Sequence, residues 1–205
     1  MKVLRCFANE EHEEEASLQR EGKQFSEEQN RALLARLANI LYSLGRSLFR
    51  FRGNGTSYMP YITENSVSES GRAEGGSGKS LFTNVFMGCS GKVYSVNARN
   101  IRPDTDITLM LDRFEPRAHR VVHWEDWPNG IDIQSLYNYV TSGFQFRQRH
   151  KDTIHVSLSE SPGHVVTSNF QPTYKDPSSS GRVIPTGFSH HFNRGDIRKI
   201  GRAHV

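Results

Sequence analysis

Cysteine is scarce in this sequence, and long hydrophobic runs are missing from it. The two cysteines, Cys6 and Cys89, are too few for a disulfide framework and lack paired metal-ligand spacing, so we expect reduced thiols. No apolar run approaches the roughly 18 residues that a membrane span requires. The opening residues also lack the basic and then apolar pattern of a signal peptide. These absences argue against a membrane or disulfide-rich secreted protein and predict a cytoplasmic one.

A large excess of charge is missing as well. The formal net charge is +4 over 205 residues, which alone is weak evidence for a nucleic-acid partner. The charges are unevenly distributed: "NEEHEEEASLQRE" is acidic, whereas "RSLFRFRGNG" and "FQFRQRHK" mix arginine with phenylalanine. Local patches are therefore more informative than the total. The length suits one principal domain with some additional helix.

An amphipathic helix is predicted near the N-terminus. After Ser26, a suitable N-cap, leucine and isoleucine recur every three or four residues, and Gly45 is a candidate stop. The predicted apolar face comprises Leu33, Leu34, Leu37, Ile40, Leu41, Leu44 and Leu48. Residues 8–20 are a second candidate helix. Residues 1–50 are therefore interpreted as an N-terminal helical lead.

Residues 51–199 are predicted to form the core domain. Strands are predicted at "SYMPYITEN", "KVYSVNA", "HRVVHWEDW" and "GHVVTSNF". Pro60 argues against the first of these, because proline is disfavoured inside a strand. Helical spacing is found in "KSLFTNVFMG", "DITLMLDRFE" and "IDIQSLYNYVTSG", and "FQFRQRHKDTIHVSL" alternates like a hairpin. Alternating strands and helices predict an α/β sandwich with a mainly parallel central sheet.

The two ends of the sequence carry a different signal. The last six residues, "IGRAHV", back-translate into the start of a common short-read sequencing adapter. We expect residues 200–205 to be a non-native tail and the natural protein to continue past Lys199. A coincidental basic tail is the alternative. The N-terminus is likewise expected to be internal to a longer protein.

The segment "GRAEGGSGKSLF", residues 71–82, has the composition of a phosphate-binding loop. Glycines let backbone amides approach phosphate oxygens, Lys79 reaches the terminal phosphates, and Ser80 can coordinate Mg²⁺. Ala73 stands where the usual G-x-x-x-x-G-K-[ST] pattern has glycine, and a flexible linker is the alternative. The predicted nucleotide-binding residues are Gly75, Gly76, Ser77, Gly78, Lys79, Ser80 and Leu81.

Two downstream strands end in polar residues that suit ATP hydrolysis. Glu125 and Asp126 follow an apolar strand, and we assign Glu125 to the metal and Asp126 to the base that activates water. Asn169 follows another strand and can position the water or sense the γ-phosphate. An ordinary surface acid pair and a turn-forming asparagine are the alternatives.

The three motifs "GGSGKSLF", "VVHWEDW" and "VVTSNF", in this order, resemble those of the superfamily three helicases, which are AAA+-related P-loop ATPases. The likeness is greatest to primase-helicases of phages and mobile elements and covers roughly residues 30–194. It implies a three-layer P-loop NTPase fold, ATP and Mg²⁺ as cofactors, and Lys79, Ser80, Glu125, Asp126 and Asn169 as site residues.

The resemblance implies two further groups of residues. Arg182 lies where the family has an arginine that reaches the nucleotide of a neighbouring subunit, with Arg194 as competitor. The family also places a DNA-gripping hairpin between the acidic and sensor motifs. The matching basic residues are Arg147, Arg149, His150 and Lys151, beside Phe144 and Phe146, which could stack on bases.

These features predict an ATP-dependent DNA helicase or translocase module of a phage or mobile-element replication protein. Its expected partners are single-stranded or forked DNA, further copies of itself in a homo-hexamer, and a primase domain or protein, within the cytoplasm of a bacterial host cell. Another P-loop ATPase, such as a loader or packaging motor, is one alternative. A non-hydrolysing DNA-binding replication protein is the other.

Overall fold

The structure is a computed structural model that describes residue 8 and residues 12–48, 58–64, 77–174 and 176–189. Its helices are α1 His12–Arg20, α2 Glu27–Leu48, α3 Lys79–Phe82, α4 Tyr137–Thr141 and α5 Pro177–Ser180. Its strands are β1 Met59–Glu64, β2 Lys92–Asn97, β3 His119–Glu125, β4 Phe144–Arg147, β5 Thr153–Val156, β6 Gly163–Thr167 and β7 Val183–Phe188. No helix in this described part of the chain combines the length and apolarity needed to cross a bilayer.

Five strands form one sheet in the order β2-β3-β6-β1-β7, and every pairing within it is parallel. Strands β1 and β6 are buried along their whole length, as expected for inner strands of a parallel sheet covered on both faces. The predicted hairpin is a separate antiparallel pair, β4 and β5. The predicted α/β fold with a mainly parallel sheet is therefore confirmed.

The two faces of the sheet contribute to two different hydrophobic clusters. Successive strand residues point to opposite faces, so Val121 belongs to one cluster and Val122 to the other. Helix α2 covers the first face with Leu33, Leu37 and Ile40. The second face is covered by the segments between β2 and β3 and between β3 and β5, with the side chains of Ile107, Leu111, Phe114, Leu136, Tyr139, Phe144 and Phe146.

Helix α2 begins as predicted but does not end as predicted. The backbone amide of Gln29 donates to Oγ of Ser26, and the amide of Ser26 donates to Oε1 of Gln29, which forms a capping box. The expected stop at Gly45 is wrong, because the helix continues to Leu48. Gly45 does not adopt the left-handed conformation that ends helices at glycine. Of the predicted apolar positions, Leu34 and Leu41 are exposed.

Proline 60 is accommodated inside β1 because of where its nitrogen points. The amide of Met59 donates to the carbonyl of Arg182 on the β7 side, so the nitrogen of the next residue faces β6. Pairing of β1 with β6 begins only at Tyr61. The missing N–H therefore costs no ladder hydrogen bond.

Several predicted helices are shorter than the sequence spacing suggests. The segment after the phosphate loop is α-helical only over α3 and continues as a π-helical turn, Thr83–Met87. The predicted helix in "DITLMLDRFE" is a 3₁₀ segment, Ile107–Leu111, which starts where the Asp106 carboxylate accepts from the Thr108 amide. Strand β7 was not predicted, because glycine and proline interrupt its sequence.

Candidate functional site

The candidate site lies where the parallel strands end. Strands β1, β3 and β6 run in one direction, so their carboxyl ends, at Glu64, Glu125 and Thr167, lie on the same side of the sheet. Backbone hydrogen bonds join these strand ends: the amide of Ser168 donates to the carbonyl of Ile62 at 3.0 Å, and the amide of Trp127 donates to that of Thr167 at 2.9 Å. Such carboxyl edges are the usual ligand sites of open parallel sheets.

The phosphate-loop motif leads directly into α3 at this edge. Gly78 precedes the helix with φ of 82°, a left-handed conformation that suits glycine. Lys79 is buried, whereas Ser80 and Leu81 are exposed on the first turn. The predicted residues Gly75 and Gly76 lie outside the described residues.

Lys79 forms a buried ion pair with Glu64. Its Nζ donates to Oε1 of Glu64 at 2.6 Å and to Oγ of Ser77 at 3.2 Å. The Glu64 side chain is fully buried at the end of β1. Sequence reasoning missed Glu64, although an acid that ends an apolar strand just before a glycine-rich segment was a usable signal.

Ser80 and Glu125 are brought together across the end of β6. The Ser80 hydroxyl donates to Oε1 of Glu125 at 3.1 Å. A hydroxyl and a carboxylate are hard oxygen ligands, which suit Mg²⁺ when nucleotide phosphates and water complete its coordination. The described residues hold no cluster of three or more histidine, cysteine, aspartate or glutamate side chains.

Asp126 points away from this pair and binds Arg99. Nη2 and Nε of Arg99 lie 2.7 and 2.9 Å from Oδ2 of Asp126, and Oδ1 accepts no hydrogen bond from the described part of the chain. Asp126 has φ of 57°, a left-handed conformation that aspartate tolerates better than most residues. Arg99 follows β2 and was not singled out in the sequence, because nothing in its neighbourhood forms a motif.

Asp126 and Asn169 line one open cleft of about 410 Å³. Its wall includes Trp127 and Phe170, and the carbonyl of Phe170 accepts from the Tyr61 hydroxyl at 3.1 Å. Burial raises the pKa of Tyr61, so this phenol remains a donor that anchors the wall. The structure therefore groups the second predicted acid with the predicted sensor residue.

His123 connects the two strands that carry these residues. Its Nε2 is 2.8 Å from Oγ1 of Thr167, and its side chain is fully buried. Burial lowers the pKa of His123 to about 4, against a smaller opposing effect of the Asp126 charge. The imidazole is therefore neutral near pH 7 and acts as a structural link between β3 and β6.

The basic hairpin presents its arginines to solvent but holds them against acids. Nε of Arg149 is 3.0 Å from Oδ2 of Asp112, and Arg147 lies 3.9 Å from Asp106. Lys151 donates to Gln148 within the turn, where His150 is also exposed and has φ of 59°. The hairpin therefore keeps exposed cations available near neighbouring carboxylates.

The expectation that Phe144 and Phe146 stack on bases is wrong. Both side chains are at most 1% exposed, and both rings pack against Phe114 in the core. Alternation along β4 puts the phenylalanines inward and the side chains of Gln145 and Arg147 outward. The two phenylalanines therefore anchor the hairpin to the core and are not accessible to bases.

Arg182 lies at the amino ends of the parallel strands, whereas Lys79 lies at their carboxyl ends. It immediately precedes β7, whose Val183 pairs with Met59 and whose Phe188 pairs with Glu64. Strand β7 is six residues long, so its two ends are roughly 20 Å apart. Arg182 is thus remote from the phosphate loop of its own chain. Its competitor Arg194 and residues 200–205 lie outside the described residues.

No family model matches the sequence, and no curated protein matches it. Among solved structures, the chain is similar to a JCV helicase crystallised with a thiazolopyridine-containing acetamide compound. The similarity covers 80% of this chain and 42% of that chain, at 13% identity and a TM-score of 0.45. The chain therefore spans less than half the length of that helicase chain.

Proposed function

We propose that this chain is a P-loop module that binds and hydrolyses ATP. The observation that carries the proposal is the hydrogen bond of 3.1 Å between Ser80 and Glu125, which joins the Gly-Lys-Ser motif to the acid at the end of β3. A flexible linker gives no reason for this contact. A phosphate loop does, because its serine and the strand-end acid serve the same metal.

Each part of the site has its own task. Backbone amides of the phosphate loop would contact the phosphates, and the Lys79 ammonium would neutralise the terminal ones. Ser80 and Glu125 would hold Mg²⁺, which would supply positive charge against the negative charge that develops on the phosphates.

The second acid, Asp126, acts on the attacking water. Asp126 accepts a proton from the attacking water, and the Asn169 amide orients that water. This division is supported by the different directions of the two acids: Glu125 contacts Ser80, and Asp126 lines the cleft with Asn169. Arg99 holds Asp126 in place through two contacts to one oxygen, which leaves Oδ1 for the water.

We further propose that hydrolysis drives movement along single-stranded or forked DNA, in a homo-hexameric replication helicase of phage or mobile-element type that works with a primase in the bacterial cytoplasm. Arg182 is remote from its own phosphate loop, so it would serve a neighbouring copy. Arg147, Arg149, His150 and Lys151 would follow the DNA backbone. In this proposal, residues 1–50 would be the N-terminal lead, residues 51–199 the motor core and residues 200–205 a non-native tail.

Nucleotide binding by the purified chain tests the proposal most directly. A fluorescent ATP analogue is titrated with and without Mg²⁺, and ATP turnover is measured with and without single-stranded DNA. Lys79→Ala should weaken binding by about a hundredfold, since it removes the cation on the phosphates, while Lys92→Ala on the exposed edge of the sheet should change nothing. Equal affinity of wild type and Lys79→Ala for the ATP analogue would contradict the proposal.

The alternatives predict other outcomes of the same measurements. A loader or packaging motor would hydrolyse ATP without strand displacement. A non-hydrolysing DNA-binding protein would bind DNA but show no turnover even in the presence of Mg²⁺.

A further inference from the structure

Lys79 of the phosphate loop pairs with Glu64, an acid that belongs to none of the three sequence motifs. Glu64 ends the buried strand β1 and its carboxylate is fully buried, while the Lys79 side chain is 9% exposed. The distance of 2.6 Å between Nζ and Oε1 is that of a charge-assisted hydrogen bond. Lys79 is thus occupied by an anion supplied by its own chain.

A nucleotide would compete with Glu64 for the same ammonium. The phosphates need Lys79 as their cation, and drawing it away leaves a buried carboxylate with less compensation, which is costly in a low dielectric. If Lys79 stays with Glu64 instead, the carboxylate lies close to the incoming phosphates and repels them. Both routes weaken nucleotide binding.

We propose that Glu64 is an affinity-determining residue of the nucleotide site, which competes with the phosphates for Lys79 and keeps nucleotide affinity low. This inference rests on the proposed ATP-binding function. It adds an internal competitor, carried by strand β1, to a site otherwise built from the phosphate loop, the acids and the sensor.

The test is Glu64→Gln, which keeps the size of the side chain and removes its charge. We expect the Kd for ADP and for ATP, measured by titration calorimetry, to fall by about tenfold, the value of one charge-assisted hydrogen bond. Glu115→Gln, which removes an exposed carboxylate, is the matched control and should leave the Kd unchanged. Thermal unfolding verifies that each variant is folded.

Two more variants keep the test decisive. Glu64→Asp retains the charge but withdraws it by one methylene, so we expect a smaller gain in affinity; this variant serves if Glu64→Gln does not fold. In a Lys79→Met background no cation is left to compete for, so any gain from Glu64→Gln there measures only the repulsion between the carboxylate and the phosphates; a gain as large as in the wild-type background would overturn the competition for Lys79.

The possible results separate this inference from the function on which it rests. Unchanged or weaker binding by Glu64→Gln, beside clear binding by wild type, would overturn the role of Glu64 and leave the ATP site standing. Absence of binding by wild type and by Glu64→Gln at millimolar nucleotide would overturn both.

Discussion

Ser80 and Glu125 are 45 residues apart in the chain, yet the hydroxyl of one donates to the carboxylate of the other at 3.1 Å. Their contact crosses the end of β6, the strand that separates β1 from β3 in the sheet. It joins the loop that we propose binds phosphate to the acid that we propose binds the metal. The contact also makes the proposed metal site testable without assuming any motion.

Removal of either metal-facing group should abolish the effect of Mg²⁺ on nucleotide binding. We expect Ser80→Ala and Glu125→Gln to weaken binding of ATP with Mg²⁺ by about tenfold and to leave metal-free binding nearly unchanged. Ser80 is exposed, so its loss should barely affect stability. Binding is followed by fluorescence at several Mg²⁺ concentrations, with the exposed Ser95→Ala as control. A full Mg²⁺ effect in both variants would refute the metal assignment.

The two neighbouring acids should fail in different ways. Asp126→Asn is expected to lower ATP turnover by at least about a hundredfold while binding persists, because the proton acceptor for water is lost. Glu125→Gln should instead weaken binding together with turnover. Steady-state kinetics and direct binding on the same preparations distinguish them. The opposite pattern would exchange the two roles.

Arg99 should act through Asp126 and not on the nucleotide itself. We expect Arg99→Ala to lower kcat by about tenfold with little change in KM, because Asp126 loses the contact that positions it. Arg99→Lys should recover part of that loss, since a single ammonium can still contact Oδ2. Arg117→Ala removes an exposed arginine and is the control. A rise in KM alone would show that Arg99 contributes to binding and not to positioning.

Burial of neutral His123 should make folding sensitive to acid. Its folded pKa of about 4 lies below the ordinary value of 6.5, so the unfolded chain takes up a proton that the folded chain excludes. The contribution of His123 to the free energy of unfolding is constant above pH 6.5. It decreases by about 3 kcal/mol in total as the pH falls towards 4. Denaturant unfolding at pH 7 and pH 4.5 should show a smaller decrease for His123→Gln than for wild type or His155→Gln. Equal decreases would contradict a buried neutral histidine.

Arg149 should contact nucleic acid only in competition with Asp112. Arg149→Ala is expected to weaken binding of single-stranded DNA and reduce the salt slope by about one, whereas Asp112→Asn should strengthen binding by releasing the guanidinium. Fluorescence anisotropy at several salt concentrations measures both. Arg117→Ala tests for a general effect of charge. Identical affinities for all four proteins would exclude this hairpin from DNA binding.

Local signals predicted several elements correctly. Leu33, Leu37 and Ile40 recur at helical spacing and are buried, and the motif around Gly78 and Lys79 does stand between a strand and a helix. The termination of α2 was predicted wrongly, because Gly45 does not itself adopt the left-handed conformation of a glycine helix cap. The stacking role of Phe144 and Phe146 failed because the interior competes with solvent for large aromatic side chains.

The sequence by itself determined the alternation of strands and helices, the order of the three motifs, and the types of chemical group at the strand ends. These follow from periodicity and residue chemistry, which act over a few neighbouring residues. Only the tertiary structure decided that Glu64 pairs with Lys79, that Arg99 holds Asp126, and that the two acids face different partners. Such contacts depend on strand order and on burial, because a buried charge must find its partner wherever the fold places one.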